Sequence, residues 1–154
     1  IAKAQSLFIS RGDDSGTHKR EREIWAAIPQ APQGDWYREI GAGMGAALNM
    51  ASASQGYTLS DRGTWLAFAN KGDLRRQFSG DPALFNPYGL ILTNPAKHPH
   101  TKIKQARIFS NWMTSPKGQA AIAAFTLENQ QLFCPNAYPE KNKAVICPAK
   151  RPNQ

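Results

Sequence analysis

The run S-R-G-D-D-S-G-T at residues 10–17 gathers residue types suited to holding an anion. Arg11 offers a planar, permanently charged fork that matches the geometry of an oxyanion. Ser15 and Thr17 add hydroxyl donors, and Gly16 lets a ligand approach the backbone closely. If a helix begins there, its first N–H groups have no internal partners and its dipole adds partial positive charge, which together favour an anion at that end. Asp13 and Asp14 carry the wrong sign for this; their expected work is to orient Arg11 and cap the helix. Taken alone, the run also fits an ordinary N-capped helix after a turn, with Arg11 in solvent. The R-G-D tripeptide inside it is too short to argue for adhesion.

Two further loops share the character of the first. Residues 41–45, G-A-G-M-G, form a glycine-rich turn able to present N–H groups near Gly43 and Met44, and Ser60-Asp61-Arg62-Gly63-Thr64 brings a second arginine with two hydroxyls. Loops of this kind bind ligands in open α/β sheets when they meet at the carboxyl ends of neighbouring strands. Residues 6–10 (S-L-F-I-S) have strand character and feed a helix that opens at Ser15-Gly16-Thr17 and stops near Pro29. An Ala-rich helix is expected over 46–54, a strand over 57–60 and a short helix over 64–69. After a turn-rich connector, residues 88–93 read as another strand. Ala106, Phe109, Trp112 and Met113 then share a helical face, and Ser115-Pro116 breaks that helix and starts the next, over 117–125. Strands alternating with helices imply an α/β architecture.

With 41% hydrophobic and 19% charged residues, the 154-residue chain can bury an ordinary globular core. Its apolar runs, such as residues 90–92, are far too short to span a membrane, and no secretory leader is visible after Ile1. The net charge of +8 is compatible with nucleic acid, an anionic surface or a small anion as partner. Much of the excess sits near the C-terminus, and aromatic residues are not interleaved with basic ones as on a single-strand stacking platform, so nucleic acid is the weaker choice. Cys134 and Cys147 flank a loop that would close as a disulfide in an oxidising compartment, or else are two unrelated thiols. Neither has a second ligand at metal-site spacing, and His18, His98 and His100 lack one too, so no metal site is expected. No Ser-His-Asp set and no pair of carboxylates suited to catalysis stands out, so no enzyme is expected.

Several ordered motifs carry a resemblance to a known family. F-I-S-R-G-D-D-S-G-T-H-K, W-Y-R-E-I-G-A-G-M-G, Y-T-L-S-D-R-G-T-W, N-P-Y-G-L-I-L-T-N-P and F-S-N-W-M-T-S-P-K-G-Q-A-A-I together resemble the tungstate-binding proteins of ABC importers, over nearly the whole chain through about Asn136. The spacing of Arg11, Asp13, Ser15, Gly16 and Thr17 is also similar to that of phosphate-binding proteins of the same fold. The resemblance implies the second lobe of a type II periplasmic-binding-protein fold, with C-terminal helices of the first lobe. Residues 1–93 would be the anion-binding lobe, with hinge strands at 7–10 and 88–93, and residues 94–154 the helical part of the other lobe plus a basic tail. It implies tungstate or molybdate as ligand without a cofactor, at Ser10, Arg11, Ser15, Gly16, Thr17, Met44, Ser60 and Arg62. It also implies ABC importer membrane subunits as partners and a periplasmic or extracellular location. The family's first oxyanion loop would lie in a lobe segment upstream of this chain. Phosphate or sulfate capture, a truncated homologue without transport function and a basic nucleic-acid-binding module are the alternatives.

Overall fold

The computed structural model describes residues 1–137. Among them, residues 1–84 form one compact unit and those from Phe85 onward a second.

In the first unit, β1 (Phe8–Ser10) leads into α1 (Gly16–Ala26), β2 (Tyr37–Glu39), α2 (Met44–Ser54), β3 (Tyr57–Thr58) and α3 (Arg62–Ala67). The three strands form a parallel sheet in the order β2-β1-β3, with Phe8 opposite both Tyr37 and Tyr57. Every residue of β1 is buried because the central strand of a parallel sheet is covered on both faces. Side-chain alternation sorts the two faces. Phe8 turns toward α1, where its ring meets Trp25 edge-on at 5.2 Å and Trp25 meets Trp36. Ile9 turns the other way, into a cluster with Met44, Ala47, Leu48 and Ala51 of α2. Complete burial of a side chain such as Ile9 or Leu48 contributes about 1.5–3 kcal/mol each.

The strands expected over 6–10 and 57–60 are present in shortened form, and the helix expected to open at Ser15-Gly16-Thr17 and stop near Pro29 spans Gly16–Ala26. The helix expected from Ala46 starts at Met44, because Gly43 already takes the extended backbone of an N-cap. β2 was not anticipated. In W-Y-R-E-I the short apolar stretch is interrupted by two charged residues, and the strand exists through its pairing with β1.

The second unit holds α4 (Ile103–Thr114), α5 (Pro116–Ala124) and a small hairpin of β4 (Thr126–Leu127) and β5 (Gln130–Gln131). Ser115 separates the helices as expected: its hydroxyl donates to the Trp112 carbonyl at 2.7 Å and accepts from the Gly118 N–H at 3.2 Å, with Pro116 in the first turn. The strand expected over 88–93 is a correction. Those residues pair with no strand among the described residues, and Tyr88 and Ile91 are among the most exposed side chains. Their composition favours extended backbone, but a strand needs a neighbour to accept its hydrogen bonds. Among the described residues, no helix is long and apolar enough to cross a membrane. The Cys134–Cys147 pairing lies outside the described residues, since Cys147 is not among them.

Candidate functional site

The connections of the parallel sheet place a topological switch point at the carboxyl end of β1, the place where open α/β sheets bind ligands. Helix α1 leaves β1 over one sheet face and α2 leaves β2 over the other, so the loops after these adjacent strands part to opposite sides. The two loops are nevertheless tied together at their bases: the Ile40 N–H donates to the Ser10 carbonyl at 3.1 Å and the Ala42 N–H to the Arg11 carbonyl at 3.0 Å. Gly12 sits where they touch. Its φ is +59°, and a Cβ there would lie 2.7 Å from the Glu39 Cβ, so glycine meets both a backbone and a packing requirement.

Within the first loop, Asp13 does the work expected of it. Its carboxylate accepts from Arg11 through Nε at 3.1 Å and through Nη2, and from the Ser15 N–H at 3.2 Å. Hydrogen bonding with Ser15 first, and with Arg11 after it, pulls the Asp13 carboxyl down to about 2. Asp13 therefore stays ionised and Arg11 is held in one place. Asp14 instead pairs with Lys19 at 3.3 Å on the surface, and the helix cap is Ser15, whose Oγ accepts the His18 N–H at 3.3 Å. The Ser15 hydroxyl also hydrogen-bonds the Asp13 carboxylate, so a ligand would have to draw its hydrogen away from Asp13. Gly16 and Thr17 stand in the first turn of α1, and no hydrogen-bond partner for their N–H groups is found among the described residues. Gly16 is exposed.

The remaining predicted residues divide into several kinds. Ser10 is fully buried and its hydroxyl donates to Glu21 at 2.9 Å, so that group is committed inward. Met44 places its side chain in the core with Ile9, leaving its first-turn N–H as its contribution to the second loop. The Ser60 hydroxyl donates to the Asp61 carbonyl at 3.0 Å. Arg62 opens α3, whose N-terminus is already capped by Asp61: that carboxylate accepts the Thr64 N–H at 2.8 Å and the Thr64 hydroxyl at 2.7 Å. The third loop thus brings arginine rather than exposed helix donors. Burial, and then the like charge of Arg76, lowers the Arg62 pKa. Arg76 was not singled out from the sequence; its Nε is buried with no hydrogen-bond partner among the described residues.

Sequence reasoning also missed the groups beneath the loop. Glu21 is buried, and its carboxylate accepts from Ser10, from the Tyr37 hydroxyl at 2.8 Å and from Trp25 Nε1 at 3.2 Å. Burial first, with the Glu21 charge adding to it, pushes Tyr37 up to about 12. His18 is buried one turn earlier on the same helix. The available signal was the i, i+3, i+7 spacing of His18, Glu21 and Trp25, which puts them on one face of α1. No group of three or more potential metal ligands occurs among the described residues.

Comparison with known proteins agrees with this architecture. Residues 1–117 match the PBP superfamily domain. The chain belongs to the PBP superfamily. Its α/β fold is the fold of that superfamily, and its relatives bear out the resemblance to tungstate-binding proteins. A Haloferax volcanii protein named as a candidate ABC transporter anion-binding protein is 48% identical over 145 residues, covering 91% of this chain and 42% of its own length. The tungstate-binding protein TupA of Peptoclostridium acidaminophilum is 42% identical over 139 residues, covering 89% and 49%. The crystal structure of the tungstate ABC transporter from Geobacter sulfurreducens aligns with a TM-score of 0.73 at 44% identity, covering 80% of this chain and 53% of that one. This PBP-superfamily chain therefore spans about half the length of the curated relatives it matches.

Proposed function

We propose that this chain captures a tetrahedral oxyanion, tungstate with molybdate beside it, for delivery to the membrane subunits of an ABC importer outside the cytoplasm. The observation that carries the reading is the opening of α1: two unpartnered N–H groups at Gly16 and Thr17 stand beside the Ser15 and Thr17 hydroxyls, with Arg11 pinned by Asp13 one turn away in sequence. An oxyanion there accepts hydrogen bonds along the helix dipole and from a charged fork, without catalysis or a cofactor. Met44 contributes its N–H from the second loop, and Ser60 and Arg62 stand on the third. Ser10 supports the floor through Glu21. The names of the relatives favour tungstate over phosphate or sulfate, which share its tetrahedral geometry. Because the chain spans about half of those relatives, a complementary lobe belongs to the proposal as the other wall of the site.

Calorimetric titration with tungstate, molybdate, sulfate and phosphate tests this. The expected order places tungstate and molybdate ahead of sulfate. Equal or tighter sulfate binding removes the tungstate assignment, and binding of none of the four removes the oxyanion reading.

A further inference from the structure

We propose that His18 is a positioning residue for oxyanion capture, holding the anion loop in its binding shape through Nδ1 as a hydrogen-bond acceptor. The proposal rests on the oxyanion reading above. The loop from Arg11 to Ser15 turns through two left-handed residues, Gly12 at φ +59° and Asp14 at φ +56°. Glycine adopts that backbone readily, whereas aspartate does so only with local support. For Asp14 the support is a hydrogen bond from its own N–H to His18 Nδ1, at 3.0 Å. The backbone of His18 grips the same loop a second time, since its N–H donates to Ser15 Oγ. One buried residue thus ties down both the strained turn and the helix cap, and Gly16 and Thr17 lie between those two anchors and the body of α1.

The surroundings of the ring explain why it accepts at Nδ1. An accepting Nδ1 carries no proton, so the ring hydrogen resides on Nε2. Nε2 lies 3.2 Å from Glu39 Oε1, which enters from the end of β2. That contact meets an ion-pair distance but not hydrogen-bond alignment, leaving Nε2 without a directed partner among the described residues. The Asp14 bond is therefore the ring's one directed interaction there. The same loop and helix also carry the Asp14–Lys19 and Arg11–Asp13 pairs, and Glu21 follows His18 one turn further along α1. Glu39 also packs against Gly12, so the imidazole stands between the loop and the end of β2.

Side-chain geometry gives a clean test in a protein carrying both lobes. In His18→Asn an amide oxygen can take the place of Nδ1, whereas in His18→Gln the amide lies one atom further out, toward the Nε2 position. Two quantities are read: hydrogen exchange at the Asp14 amide, which needs no ligand, and tungstate affinity by calorimetry. Denaturation midpoints establish that both variants fold. The expected result is that His18→Asn keeps the Asp14 amide protected and binds tungstate within about threefold of the parent. His18→Gln releases the amide and weakens tungstate by about tenfold or more, the scale of one lost, well-placed hydrogen bond. Parent-like tungstate affinity in His18→Gln overturns the proposal, as does an unprotected Asp14 amide in the parent. If the parent binds no tungstate, the oxyanion reading fails instead, and the amide of His18→Gln still decides whether His18 holds the loop.

Discussion

Helices α2 and α4 differ by one residue in length and both place apolar side chains at helical spacing, yet they end in opposite environments. α2 buries Met44, Ala47, Leu48 and Ala51 against the central strand of the sheet. α4 buries nothing, and leaves Ile108 70% and Phe109 55% exposed although the Phe109 ring stacks on Trp112. A helical stripe states which face seeks cover; it does not supply the covering layer. In the first unit, β1 and its neighbours supply that layer.

The contrast can be broken by substitution. Leu48→Ala should cost about 2–5 kcal/mol of unfolding free energy in denaturant, while Ile108→Ala should stay within about 0.5 kcal/mol. Comparable losses at both sites would erase the distinction between the units. Glu21→Ala should come next, at about 1.5–3 kcal/mol, because it strands the Ser10, Tyr37 and Trp25 donors together. A neutral outcome would show that these donors find other acceptors.

The second unit should be sensitive where its backbone is tight rather than where its side chains are apolar. A Cβ on Gly118 would lie 2.0 Å from the Trp112 carbonyl oxygen. Gly118→Ala is therefore expected to cost roughly 1–3 kcal/mol, more than Ile108→Ala, and a silent Gly118→Ala would contradict the close approach of the two helices. The smallest effect is a titration. Tyr37, raised from 10 to about 12, favours its neutral donor form in the fold. Its contribution to stability is intact below pH 10 and fades as pH rises through 12. Ultraviolet difference titration should place Tyr37 ionisation near pH 12, and a midpoint at the ordinary value would remove its link to Glu21.

Much of the site's framework was legible because local chemistry and tertiary structure agree there. F-I-S followed by S-G-T reads as strand, turn and helix, although the cap expected of Asp13 and Asp14 is Ser15. Ser115-Pro116 likewise ends one helix and starts another. β2 was not legible, since Tyr37–Glu39 owes its strand to β1 rather than to an apolar pattern of its own. Residues 88–93 fail in the opposite sense, with strand-forming side chains and no pairing neighbour among the described residues. The β4–β5 hairpin escaped notice because Glu128 and Asn129 take the two left-handed turn positions without a glycine to announce them. His18 looked isolated because its partners, Asp14 and Glu39, are brought to it by the turn before α1 and by the pairing of β2 with β1.

The central claim is that Arg11 and the first turn of α1 form one oxyanion cradle, with the third loop secondary to it. It is tested most directly by comparing the tungstate affinity of Arg11→Ala with that of Arg62→Ala, by calorimetry in a protein carrying both lobes. Loss of the charge-assisted contact at Arg11 should weaken binding by about tenfold to hundredfold, with a smaller loss at Arg62. Parent-like affinity in Arg11→Ala together with a large loss in Arg62→Ala would contradict the account and move the cradle to the start of α3.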